Sequence, residues 1–140
     1  MFDGYRFVRD QRVAFRDLDY FRHVNNAAYV TWTETLRIEY MVEVVGVPMD
    51  AQVGIIMASQ RFDYAYPVGP GEVVAVGIRC SRLGTKSLDF EYEIYSRTAE
   101  KLAVRGFNAI VAYDYGAGAS VPIPSAWREA IVAFEPGLQA

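Results

Sequence analysis

The single histidine of this 140-residue chain falls in a segment crowded with groups that handle protons: Arg16-Asp17-Leu18-Asp19-Tyr20-Phe21-Arg22-His23-Val24-Asn25-Asn26-Ala27-Ala28-Tyr29. It holds two carboxylates, one imidazole and two adjacent amides. A carboxylate serves as a general base or a nucleophile, and backbone N–H groups stabilise charge developing on a carbonyl oxygen. The segment precedes a helical pattern, and a helix start offers unpaired N–H groups and a partial positive charge. Carboxylate and oxyanion donors within one helical turn of each other make an acyl-transfer site in outline. The same residues also have plainer uses: Asp19 closing an Asx turn, His23 or Asn25 as the N-cap, Asn26 as a surface amide.

Other chemistries lack their signatures. The chain has no G-x-S-x-G elbow, Walker phosphate loop, H-E-x-x-H or paired C-x-x-C, and Gly116-Ala117-Gly118 precedes Pro122 instead of opening a helix. Cys80, alone and far from His23 in sequence, reads as a core filler. With 14 basic and 17 acidic residues scattered along the chain, the net charge of -3 argues against a nucleic-acid partner. The chain is 52% hydrophobic, yet charges interrupt every apolar run before the roughly 18 residues that a membrane span needs. Met1-Phe2-Asp3-Gly4-Tyr5-Arg6 lacks the basic-then-apolar pattern of a secretory signal, and a lone cysteine forms no internal disulfide, so a cytoplasmic location is expected. Residues 1–140 are the right length for one domain with one core.

The elements that position this segment follow from periodicity. Tyr5 to Phe15 alternates at period two and predicts a strand. From Asn25 to Val45, Tyr29, Trp32, Leu36, Tyr40 and Val44 recur at steps of three and four, with Ile38, Met41 and Val45 as a second stripe. This predicts one long helix buried around most of its circumference and stopped by Gly46-Val47-Pro48. Strands are predicted at 53–66, 72–80, 87–96 and 103–114; in the third, Leu88, Phe90, Tyr92 and Ile94 point inward. Short turns join them as an antiparallel meander, and a last helix covers 124–131. The order predicts an α+β domain, one helix laid on an antiparallel sheet.

The run Asp17-Leu18-Asp19, with His23-Val24-Asn25-Asn26 and Tyr29, resembles the signature of the hotdog-fold acyl thioesterases, 4-hydroxybenzoyl-CoA thioesterase-like and long-chain acyl-CoA enzymes among them. The resemblance continues through Tyr66-Pro67, Gly71-Glu72-Val73, Gly84-Thr85-Lys86-Ser87 and Val121-Pro122-Ile123-Pro124. It implies a curved antiparallel five-stranded sheet wrapped around one long central helix. It also implies an acyl-CoA thioesterase hydrolysing fatty or aromatic acyl-CoA to free acid and CoA, with no metal or other cofactor. Asp19 takes the place of the catalytic carboxylate, His23 the place of a residue that orients it or donates to the oxyanion, and Asn25 and Asn26 lie at the oxyanion site. Asp17 is read as structural support. Arg82, Lys86 and Ser87, about a tight turn, match the place where the family meets the nucleotide end of CoA, and Tyr29 joins the substrate-binding residues. Acyl-carrier-protein thioesterases carry asparagine where this chain has Phe21, which favours the acyl-CoA branch; a carrier-protein thioesterase and a non-catalytic acyl-CoA binding module are the alternatives. The family joins sheets between subunits, so a homodimer or homotetramer is expected, with acyl-CoA as the small-molecule partner.

Overall fold

The computed structural model describes residues 3–139. Its elements are β1 (Phe7–Arg12), α1 (Asn26–Tyr40), β2 (Val53–Tyr64), β3 (Val73–Leu83), β4 (Ser87–Ser96), β5 (Lys101–Asp114), β6 (Ala119–Ser120) and α2 (Ser125–Phe134). All pairings are antiparallel in the order β1-β3-β4-β5-β2, with β6 a two-residue addition on β5 beyond the five strands expected. Register shifts at 57/59, 80/82 and 94/95 mark bulges. Each adds a residue to one strand and increases its bend, which curls the sheet around α1. Among the described residues, no helix is long and apolar enough to cross a membrane.

Alternation in β4 is as the sequence predicts: Leu88, Phe90, Tyr92 and Ile94 are all buried on the inner face. The Tyr40 ring meets Phe90 and Phe7 edge-on there, with centroids 5.2 and 5.6 Å apart. The first strand is shorter than its pattern. It ends at Arg12 because the Asp17 carboxylate accepts the Ala14 N–H at 2.8 Å and turns the chain through a short 3-10 segment, Phe15–Asp17.

The long helix needs two corrections. It is α-helical only to Tyr40, and Met41–Val45 forms a π turn that ends at Gly46 in the left-handed region (φ 83°). It is also buried along one face, not around most of its circumference. Tyr29, Trp32, Leu36 and Tyr40 face the core, and Met41 and Val45 are covered as well, but Ile38 is 50% exposed. The reason is lateral position: α1 packs on β3 and β1 and leaves β2 largely uncovered.

The Glu135 side chain pins α2 to this core. The bulge after Cys80 frees that residue's N–H, which donates to Glu135 Oε2 at 2.7 Å, and the Tyr40 hydroxyl donates to the same oxygen at 2.7 Å. Removing a shared acceptor strands two buried donors, so Glu135→Ala should cost about 2–4 kcal/mol in urea unfolding. Burial pushes the Glu135 pKa up, only partly countered by the Cys80 and Tyr40 donors. A raised carboxyl pKa favours the folded state while protonated, and that contribution is lost as pH climbs from about 4 through the raised value. Glu135→Gln does not titrate, so its stability relative to wild type should rise between about pH 4 and 7 in paired unfolding curves. The Cys80 thiol is pushed up to about 12 by burial, which agrees with a core filler.

Candidate active site

The loop before α1 is closed by its own backbone. Leu18 bridges Val24, Asp19 N–H donates to the His23 carbonyl at 2.8 Å, and Arg22 takes the turn at φ 63°. Within this reversal, Asp19 Oδ1 accepts N–H bonds from Phe21 at 2.9 Å and from His23 at 3.2 Å. The Asx turn and the catalytic reading are therefore compatible. Oδ1 holds the carboxylate in place, while no described residue donates to Oδ2, which stays available for chemistry in an exposed loop. His23 orients Asp19 through its main-chain N–H; its exposed imidazole makes no hydrogen bond to Asp19.

Asn25 is the N-cap of α1. Its Oδ1 accepts the Ala28 N–H at 2.9 Å and its Nδ2 donates to the Asp17 carbonyl at 2.9 Å, which fixes the amide between the loop and the helix start. The N-cap use of Asn25 and an oxyanion site built on the backbone of the same helix start are compatible. The cap satisfies the third helical N–H and leaves those of Asn26 and Ala27, the first two, without acceptors among the described residues. Asp17 is the support expected of it, with its carboxylate on Ala14 and its carbonyl on Asn25.

Asn26 and Tyr29 border an open groove of about 290 Å³ whose other walls are Val24, Tyr64, Tyr66 and Pro67. The Tyr29 hydroxyl accepts the Val68 N–H at 3.4 Å, and burial raises the Tyr29 pKa, which keeps the phenol protonated near neutrality. Tyr66 and the turn that follows are held by Glu72, whose Oε2 accepts from the Tyr66 hydroxyl at 3.0 Å and the Gly69 N–H at 2.6 Å. Tyr64, Tyr66 and Glu72 were not singled out from sequence as site residues. The available signals were weak: Tyr64 shares Phe62's side of a strand at period two, and Glu72 lies three residues beyond Gly69 in a turn. Among the other aromatics, Trp32 is core, Phe62 is half-buried, and Tyr20 and Phe21 form an exposed edge-on pair at the loop tip, 92% and 74% accessible.

The basic turn is elsewhere. It follows β3, whereas the groove lies near the start of that strand; ten residue steps at about 3.3 Å put roughly 30 Å between them. Arg82 is already engaged, forked onto Asp89 at 2.7 and 3.1 Å and bonded to Ser87 Oγ at 2.9 Å. Lys86 is exposed and makes no ion pair among the described residues. Beside it, Arg128 ties α2 to the turn through the Gly84 carbonyl at 2.6 Å. On the resemblance that sets this turn at the nucleotide end of CoA, Lys86→Ala should raise KM for an acyl-CoA severalfold and leave a short pantetheine thioester almost unaffected, as expected on losing a contact made equally in ground and transition states. Parallel kinetics on the two substrates check this; equal losses on both would make Lys86 structural.

Residues 13–131 match the model of the thioesterase-like superfamily. The chain belongs to that superfamily. Among solved structures, this thioesterase-like chain resembles a thioesterase from Thermus thermophilus complexed with coenzyme A and zinc, at 32% identity and a TM-score of 0.84, covering 95% of this chain and 96% of the other. It also resembles the PA5185 protein of Pseudomonas aeruginosa PAO1, at 25% identity and a TM-score of 0.86 over 97% and 96% of the two chains. The YsmA protein of Bacillus subtilis (strain 168) is 30% identical over 89 residues, 64% of this chain and 60% of that protein's length. The curled antiparallel sheet with its long helix is the hotdog fold of these thioesterases, as the resemblance in the sequence implied.

Proposed function

We propose that this protein hydrolyses acyl-CoA thioesters to free acid and CoA. The observation that carries the reading is a carboxylate, Asp19, held through one oxygen in the loop that leads into α1, together with a helix start whose first two N–H groups are unspent and whose Asn26 and Tyr29 line an aromatic groove. The thioester carbonyl oxygen turns toward the Asn26 and Ala27 N–H groups, which take up charge as the tetrahedral centre forms. Asp19 Oδ2 takes a proton from water, whose oxygen adds to the carbonyl carbon, or adds there itself to form an anhydride that water then hydrolyses. On either route the C–S bond breaks and CoA leaves as the thiol, taking up the proton that water gave. Phe21 stands where a carrier-protein enzyme would place an asparagine, so acyl-CoA is the favoured substrate class. A lone reduced cysteine and CoA chemistry both suit a cytoplasmic setting.

The active unit is proposed to be a homodimer joined along β2, singly or as a dimer of dimers. β2 is an edge strand of twelve residues, exposed on both sides from Ile56 to Arg61, and an edge of that length invites a second strand. A two-fold antiparallel union sets the Tyr64 end of one β2 beside the Val53 end of the other. That arrangement carries the partner's Lys86 turn toward this protomer's groove and closes the roughly 30 Å gap that one chain cannot.

Thiol release from a panel of acyl-CoAs and acyl-carrier proteins tests the chemistry. Binding of acyl-CoA without release would leave only a binding module, and release from the carrier-protein substrates alone would reverse the substrate class. Subunit mixing tests the shared site. Asp19→Asn and Lys86→Ala proteins, dissociated and reassociated together, should regain about a quarter of wild-type activity at low substrate, because half the dimers are mixed and each has one intact site. No gain on mixing would place both residues in one protomer's site.

A further inference from the structure

The uncovered trough between α1 and β2 changes character along its length. Near the start of α1 it is aromatic, with the Tyr29 and Tyr64 rings 5.6 Å apart and Phe62 stacked beside Tyr64. Further along the same inner face, Gln60 pairs in register with the buried Asn108 of β5, and the wall opposite is Arg37 of α1.

Arg37 is only 8% exposed, and its Nη1 donates to two neutral oxygens, Tyr92 Oη and Asn108 Oδ1, both at 3.3 Å. Asn108 in turn donates to Gln60 Oε1 at 3.4 Å. The nearest carboxylate is that of Glu34, 3.9 Å away on a side chain 62% exposed. This sets Arg37 apart from Arg79, Arg82 and Arg97, which hold carboxylates at 2.7, 2.7 and 2.8 Å though all are more exposed. A buried cation is ordinarily matched by a close, hydrogen-bonded anion. The arginine deepest in this protein has neutral partners instead, and it borders a trough that begins at the proposed oxyanion donors.

The helix sets the groove residues and Arg37 in one line. Asn26, Tyr29, Thr33 and Arg37 recur at steps of three and four, a single stripe down one side of α1. Eleven residues rise about 16 Å, and the Arg37 side chain leans back toward the helix start, which leaves a reach on the order of 10 Å. Along the facing strand, Tyr64 to Gln60 spans four residues, about 13 Å.

We propose that Arg37, supported by Asn108 and Gln60, is the specificity-determining end of the acyl channel, selecting acyl groups that carry a carboxylate about 10 Å beyond the thioester carbonyl. This deepens the thioesterase reading and rests on it. A plain alkyl chain of that length would desolvate the guanidinium and offer it no acceptor, whereas a terminal carboxylate accepts from the fork that faces it.

The test compares kcat/KM for mono-CoA thioesters of linear dicarboxylic acids, from six to twelve carbons, with the unsubstituted acyl-CoA of each same length. Wild type should prefer the carboxylate-bearing member by roughly 10- to 100-fold at one or two adjacent lengths, the range set by hydrogen bonds to charged groups. Arg37→Met, of similar length and uncharged, should abolish or reverse that preference and change hydrolysis of butyryl-CoA, too short to reach it, by less than about threefold. Equal rates within every pair, or a preference for alkyl chains throughout, overturn the proposal on the unaltered protein, whether or not Arg37→Met folds. Hydrolysis of either member then leaves the thioesterase reading standing; release from neither removes that reading and the proposal with it.

Discussion

Asp19→Asn should lower turnover by roughly 10² to 10⁴, the contribution expected of a general base or carboxylate nucleophile, in a protein whose unfolding transition is unchanged. The geometry makes this substitution unusually clean. The loop depends on Oδ1, which accepts from Phe21 and His23, and asparagine retains an oxygen there. Oδ2 has no structural duty among the described residues, and it is the atom that becomes an amide nitrogen. Asp17→Ala is the contrasting case: it removes the acceptor of the Ala14 N–H that turns β1 toward α1, so the change there should appear as lost stability ahead of lost chemistry. Steady-state thiol release with matched denaturant curves separates the two. A folded Asp19→Asn protein within about threefold of wild type would remove Asp19 from the mechanism.

A second large loss is expected from breaking the β2 edge, along which the proposed dimer is joined. Ile56 and Met57 are about 40% exposed, on opposite faces of that strand. Aspartate at both positions puts like charges across a two-fold strand pairing, where neither solvation nor pairing is favourable. The double variant should sediment as a monomer, keep its circular dichroism spectrum, and lose at least about 10² in kcat/KM, because the site loses the half that the partner supplies. The protomer's own core should tolerate the change, since these side chains touch solvent and not the buried face of α1. A monomeric double variant with near-normal activity would show that one chain holds the whole site.

Local chemistry made much of this legible from sequence. The β4 alternation, the helical spacing of Tyr29, Trp32, Leu36 and Tyr40, and the Gly46 stop each depend on residues close together in the chain, and all are present as read. The motif around Asp19 was likewise readable because its turn is closed by its own neighbours, Phe21 and His23. Less legible is which partner reaches a residue first. The sequence does not say that the Asn25 amide bonds Ala28 and Asp17. Nor does it say that Arg82 rests on Asp89 and Ser87. Ile38 belongs to an apolar stripe, yet nothing in one protomer covers it, because α1 lies over β3 and β1 and not over β2.

What the sequence by itself determined about this protein is the main elements and their order, consequences of short-range periodicity and turn formation, together with a motif around Asp19 whose family resemblance makes that carboxylate the candidate for the chemistry. Only the tertiary structure decided which donors and charges remain free once the chain has folded. It left the Asn26 and Ala27 N–H groups unspent, paired Arg82, buried Arg37 among neutral oxygens, and set the Lys86 turn at the far end of β3 from the groove. The physical reason is that hydrogen bonds and ion pairs are claimed by proximity in space. A residue type states what a group can do, and the surrounding fold decides whether it is still free to do it.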